Sequence, residues 1–174
     1  VPGANARVYL GDRAHFKFFA EGGTDQLYIS EPLLGRVTKR WGMQLARPIL
    51  ATDGKFMGVV VIFLPPQELT RFIQPLAIGS DTVMTVLSNS GVLMSRSKDS
   101  SRFLGTQLLP EQIAEYRRNA KGFVLRKSLL DQVERGISHR WVSAYPLLLV
   151  VSRTPEAIYQ EISVAQEIPL ILGG

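Results

Sequence analysis

The 174-residue chain contains no cysteine, so it offers neither a thiol nucleophile nor a thiolate metal site, and it suits an oxidising compartment where stray thiols are a liability. Histidine is nearly as scarce. His15 and His139 lie far apart, and neither has a second histidine or a carboxylate four residues on to build a metal-binding helix face. Gly-x-Ser-x-Gly elbows, Gly-Lys-Ser/Thr phosphate loops and Gly-x-Gly-x-x-Gly turns are absent as well. The fifteen carboxylates are dispersed; only Asp12 and Asp25 pair even loosely, and nothing selects a glycosidase couple. These gaps leave no catalytic residues, metal ligands or cofactor to assign. No apolar run approaches the roughly 18 residues a membrane-spanning helix needs. No long like-charge run occurs either, and with 45% hydrophobic residues disorder is disfavoured. The net charge of +5 is spread along the chain rather than gathered into a stripe with exposed aromatics, which argues against a nucleic-acid footprint and fits a domain facing an anionic membrane surface.

What is present is punctuation between short apolar segments. Residues 1–11 read as an irregular lead-in, and Asp12 as the N-cap of a helix over 13–20 stopped by Gly22-Gly23. A strand over 26–30 ends at the turn marked by Pro32 and Gly35. The strongest signal is a hairpin with arms 40–50 and 56–64 around Asp53-Gly54, since glycine accepts positive φ without steric cost. Its second arm is apolar on both faces, which predicts a central, covered strand. Leu69, Phe72, Ile73 and Leu76 recur at helical spacing and predict an amphipathic connector over 67–76. Strands over 82–87 and 92–97 flank a Ser-Asn-Ser-Gly turn, a helix follows over 110–119, and strands over 122–128, 134–145 and 147–152 complete an antiparallel set. Thr154-Pro155-Glu156 opens a last helix running to about residue 167, ahead of a short apolar stub at 168–172. That stub, and a start at Val1 without methionine, give the expectation of a piece from a longer protein.

The fold class expected is therefore α+β: two PAS-like modules with antiparallel sheets flanked by helices, the first truncated at its N-terminus. Residues 1–72 form an incomplete distal module, 73–154 a membrane-proximal one with five strands, and 155–174 a helix leading toward a transmembrane span. Around the first sheet, aromatic and polar residues gather as they do in small-molecule pockets. Arg13, Arg36 and Arg47 are candidates to clamp a carboxylate, Tyr28 and Ser30 to orient it, and Phe16 and Trp41 to form apolar walls.

Asp12-Arg13-x-x-Phe16, Tyr28-Ile29-Ser30-x-Pro32, Gly35-Arg36, Trp41, Arg47-Pro48, Asp53-Gly54 and Gly58-Val59-Val60 follow one another in an order that resembles the distal module of double Cache, or PDC, sensor domains. Asn89 to Arg96 resembles the hairpin of their membrane-proximal module. The resemblance implies an extracytoplasmic region between two membrane spans, dimeric in the full receptor. It also implies a cytoplasmic output, most similar to those of diguanylate cyclases and histidine kinases. It implies a small ligand, an organic acid or amino acid, contacted by Arg13, Tyr28 and Ser30. Amino-acid-binding members carry an Asp soon after the Gly-Val-Val strand; here the stretch 61–65 has no acid, which points away from an α-amino acid.

Overall fold

A computed structural model describes residues 9–79 and 81–166. The apolar stub at 168–172 and most of the lead-in lie outside them. The chain folds into two antiparallel sheets, one of four strands and one of five, with helices between and around them.

Helix α1 (Ala14–Ala20) buries His15 and Phe19, four residues apart on one face. Asp12 is not its cap. The N-cap is Arg13, without a side-chain hydrogen bond, and the Asp12 carboxylate instead takes two hydrogen bonds from Arg36, at 2.8 and 2.7 Å. Strands β1 (Tyr28–Ile29) and β2 (Leu33–Leu34) pair with β3 (Trp41–Leu50), which pairs along its length with β4 (Phe56–Leu64). The turn expected at Asp53-Gly54 is there, with Gly54 at φ 83° and the Asp53 carboxylate accepting from the Lys55 N–H at 3.0 Å. β4 is not covered on both faces. Among the described residues its one strand partner is β3, and Met57, Val60 and Ile62 are 66%, 56% and 61% exposed.

The connector splits in two. Helix α2 (Pro66–Ile73) gives way to a 3-10 turn over Gln74–Leu76, because Pro75 has no N–H to continue the α-helical ladder. Ile73 is buried, whereas Phe72 and Leu76 point to solvent. Beyond it the second sheet has order β6-β5-β9-β8-β7, all antiparallel, built from β5 (Val83–Ser88), β6 (Leu93–Arg96), β7 (Lys121–Lys127), β8 (Glu134–Trp141) and β9 (Leu147–Arg153). Two helices lie between β6 and β7. Of these, α3 (Ser100–Phe103), opened by Asp99 at φ 53°, is not signalled by periodicity; α4 (Pro110–Arg118) is. Helix α5 (Pro155–Gln166) starts where β9 ends, with the Thr154 hydroxyl accepting from the Ala157 N–H at 3.4 Å.

Strands β5, β6 and β9 of the second sheet are covered on both faces, and strand alternation divides their side chains between two cores, whereas β7 leaves Phe123 and Leu125 exposed on one face. Leu87, Leu93, Leu148 and Val150 face α3 and α4 with Phe103, Ile113 and Tyr116. Met84, Val86, Met94 and Leu149 face the other way, onto Ile73 of α2 and Met43 of β3, so the modules share a core. At the end of the first core, Asp131 accepts from Arg96 at 2.6 Å and Arg135 at 3.0 Å.

Leu148 is fully buried at the sheet centre, so Leu148→Ala is expected to cost about 2–5 kcal/mol in urea unfolding; a loss under about 1 kcal/mol would mean the site is not tightly packed. Burial pushes the Asp131 carboxyl upward, but hydrogen bonds from Arg135 and Ser128 outweigh it and hold its pKa below 3.8. A carboxyl depressed on folding stabilises above its unfolded pKa and loses that contribution as pH falls through the folded value. Stability is therefore expected to drop as pH falls below about 4, and Asp131→Asn should flatten that drop while costing about 3 kcal/mol at neutral pH. Parallel pH profiles for the two proteins would refute the assignment.

Candidate ligand-binding site

Two of the recesses against the first sheet hold most of the sequence candidates. The first is a cleft of about 470 Å³ at the junction of the modules, walled by Tyr28, Ser30, Glu31, Ser88, Ser90 and Pro146. Short β1 brings Tyr28 there by pairing with Ala46. The Tyr28 ring is half-buried against Phe18 at 5.4 Å, with His15 and Phe19 edge-on at 6.5 and 6.4 Å. Burial, assisted by the nearby Glu31 charge, raises its pKa, so Tyr28 stands at the cleft as a neutral phenol. The Ser30 hydroxyl accepts from the Gln44 N–H at 2.7 Å and donates to the Glu31 carbonyl at 2.8 Å, which fastens the end of β1 to β3.

Glu31 crosses between the modules. Its Oε1 accepts from the Ser88 hydroxyl at 3.1 Å and from the Ser90 hydroxyl, both on the turn between β5 and β6. Gly91 holds that turn at φ 93°, and the Ser88 N–H donates to the Val92 carbonyl at 2.8 Å.

The second recess, of about 220 Å³, lies under α1 and is lined by Leu10, His15, Arg36, Gln44, Val61 and Phe63. His15 is 2% exposed and its Nε2 has no partner among the described residues. Burial lowers its pKa, opposed by a Gln44 hydrogen bond and reinforced by the charge of Arg13, so the imidazole is neutral at physiological pH. Arg36 faces this recess while paired with Asp12, and also donates to the Tyr9 carbonyl at 2.6 Å. That pairing holds Asp12 below the usual carboxylate range.

The other sequence candidates are placed as follows. Arg13 donates to the Leu34 carbonyl at 3.3 Å beside the second recess. Phe16 packs edge-on against Phe56 at 5.4 Å, on the hairpin side of α1. Trp41 is 60% exposed and borders a separate recess of about 500 Å³ with Glu31 and Pro32. Arg47 is exposed and pairs with Asp25 at 3.3 Å. The structure thus brings Tyr28 and Ser30 together and sets Arg36 next door, while Phe16, Trp41 and Arg47 stand apart. His15, Glu31 and Gln44 belong to the recesses without having been singled out; for His15 the available signal was its four-residue spacing from Phe19. Among the described residues no group of three or more His, Asp or Glu side chains could hold a metal, and no helix is long and apolar enough to cross a membrane.

No protein-family model and no curated protein matches the chain in sequence. Solved structures do match. The extracellular domain of rpHK1S-Z16, a protein assigned as a histidine kinase, is 27% identical with a TM-score of 0.69, covering 85% of this chain and 61% of that one. The periplasmic sensory domain of the Campylobacter jejuni chemoreceptor Tlp1 is 11% identical with a TM-score of 0.65, covering 86% of this chain and 57% of that one. The ligand-binding domain of C. jejuni Tlp3, in complex with L-norvaline, is 14% identical with a TM-score of 0.58, covering 94% and 58%. The chain thus spans about three-fifths of the length of these domains. Its two antiparallel modules, the second with the strand order β6-β5-β9-β8-β7, share the Cache-like fold of these extracellular and periplasmic sensory domains.

Proposed function

We propose that the chain is the signal-sensing, small-ligand-binding region of a membrane-bound receptor, acting outside the cytoplasm as part of a tethered homodimer and controlling a histidine kinase or diguanylate cyclase output. The observation that carries this reading is the junction: a ligand cleft beside Tyr28 and Ser30 adjoins Glu31, which is clasped by the β5–β6 turn of the next module. Occupancy of the cleft therefore acts on the segment that joins the modules. The similarity to sensory domains of histidine kinases and chemoreceptors supports the same role.

The ligand we favour is a small organic acid. Arg13 and the Asp12-paired Arg36 stand at the recess beneath α1, so the carboxylate is assigned there, and neutral His15, edge-on to the Tyr28 ring, links that recess to the cleft. Tlp3 binds L-norvaline and isoleucine. In this chain no acid follows Gly58-Val59-Val60 through Pro65 to receive a ligand ammonium. A ligand-free protein-interaction module is the second reading, favoured by Met57, Val60 and Ile62 exposed on β4.

A thermal-shift screen of carboxylates and amines separates the readings, since a true ligand raises the melting temperature with concentration. Hits among carboxylates of four or more carbon atoms are expected, and Arg13→Ala with Tyr28→Ala should abolish their effect. Stabilisation unchanged in that double variant would remove both residues from the site, and a flat response across the panel would favour the interaction module. The clasp has its own readout. Glu31→Ala is expected to speed amide hydrogen exchange at Gly91 and Val92 by roughly fivefold, the equivalent of one hydrogen bond of about 1 kcal/mol. Unchanged exchange there would deny Glu31 a coupling role.

A further inference from the structure

The second module contains a cavity of its own, on the face of its sheet turned away from the junction. It encloses about 50 Å³ and is bounded by Arg96, Arg126, Gln112, Thr85, Ser152 and apolar residues including Leu87, Ile137 and Val150. Thr85 and Ser152 interrupt an inner face whose neighbours Leu87, Leu148 and Val150 are apolar, and Ser152 reaches the Val83 carbonyl at 3.5 Å. Packing alone favours a purely apolar layer at such positions.

Arg96 is the centre of the site. Its side chain is 3% exposed, with Nη1 donating to the Lys98 carbonyl at 2.7 Å and Nη2 to Asp131 at 2.6 Å. Among the described residues its Nε–H has no partner, and neither has that of buried Arg135. A buried donor without an acceptor costs about 1–3 kcal/mol, so an acceptor supplied from outside is favoured. The charges lean the same way. Arg96 and Arg135 share one half-buried carboxylate, Asp131. The remaining acids lie toward solvent: Asp99, 3.8 Å from Arg96, is 69% exposed, and Glu115, which pairs with Arg126, is 41% exposed. Phe103 lies 5.0 Å under the Arg96 guanidinium and Tyr116 lies 5.4 Å under that of Arg126, which fixes both before any ligand arrives.

We propose that this cavity binds a monocarboxylate of two or three carbon atoms, its carboxylate on the Arg96 side and its alkyl end against Leu87, Ile137 and Val150. The volume sets the size: about 50 Å³ accommodates roughly three or four waters, or one such acid. The site is independent of the Tyr28 cleft and does not rest on it.

The test measures melting temperature and titration heat of the full chain with sodium acetate and propionate. Sodium chloride at equal ionic strength, propionamide and hexanoate serve as controls. Acetate and propionate are expected to stabilise in a concentration-dependent way, while the neutral amide and the longer acid do not. Arg96→Lys, which lacks the Nε–H, should weaken the apparent affinity about tenfold or more. Ser152→Val fills the cavity without touching the charges and should abolish the response, which decides the matter if Arg96→Lys does not fold. Tyr28→Ala should leave the acetate response intact, separating this site from the distal cleft. A response equal to that of chloride or propionamide, or one that survives Ser152→Val, or one lost with Tyr28→Ala, would overturn the proposal and leave the cavity to water.

Discussion

Asp81 joins three parts of the chain. It sits between the 3-10 turn that ends the connector and the first residues of β5. Its Oδ2 accepts from the Thr154 N–H at 2.9 Å and the Thr154 hydroxyl at 3.2 Å, and Arg153 approaches Oδ1 at 3.5 Å. Its backbone carbonyl accepts from Arg135 of β8 at 3.3 Å. Burial raises the Asp81 pKa, but the Thr154 hydrogen bonds and the Arg153 charge prevail, so the carboxylate stays ionised at neutral pH. One side chain thereby fixes where the connector stops, where the central strand pair begins and where α5 leaves the sheet. A shift of the β5 end is transmitted to the first turn of α5 because both hang on the same carboxylate. Arg153 extends the tie into the helix through its pair with Glu161.

The upstream half reaches that point through packing rather than charge. Met43, Ile73, Val86 and Met94 form one cluster drawn from β3, α2, β5 and β6. Close-packed interiors transmit displacement because they have little room to absorb it. Glu31 adds a polar contact at the rim of the same interface. Connector, clasp and shared core therefore make one continuous path from the Tyr28 cleft to β5, and Asp81 carries it on to α5. Such a path moves signal only where a ligand binds one of two arrangements better than the other.

How much of this was legible depended on the range of the physics involved. The β3–β4 hairpin could be read because a local Asp-Gly turn and its flanking apolar arms are sufficient to specify it. The second sheet could be read for the same reason, each strand being bounded by its own turn. The two-residue strands β1 and β2 carry too little periodicity to define their bounds, and α3 depends on the left-handed backbone at Asp99 rather than on any repeat. Exposure of β4 is a property of what does not pack on it, which an apolar run cannot declare. The ion pairs were the least visible part. Asp12 finds Arg36 twenty-four residues on, and Asp25 finds Arg47 after twenty-two, so a cap and two ligand clamps in sequence are two salt bridges in space. Conversely Glu31, fifty-seven residues from Ser88, had no local mark as a clasp.

Strand alternation in the second module has a further consequence for how signals combine. Along β5, Met84 and Val86 face the junction while Thr85 and Leu87 face the inner cavity; along β9, Leu149 faces the junction while Leu148, Val150 and Ser152 face inward. The two faces belong to one backbone, paired from Val83–Ser152 to Ser88–Leu147. Anything that rearranges the inner face must be accommodated by the strands that carry the junction face, and the reverse holds equally. Coupling between two sites is reciprocal, so occupancy inside would alter affinity at the distal cleft by the same factor as the distal ligand alters affinity inside. The β5–β9 pair is thus the element through which both faces bear on Asp81 and, beyond it, on α5.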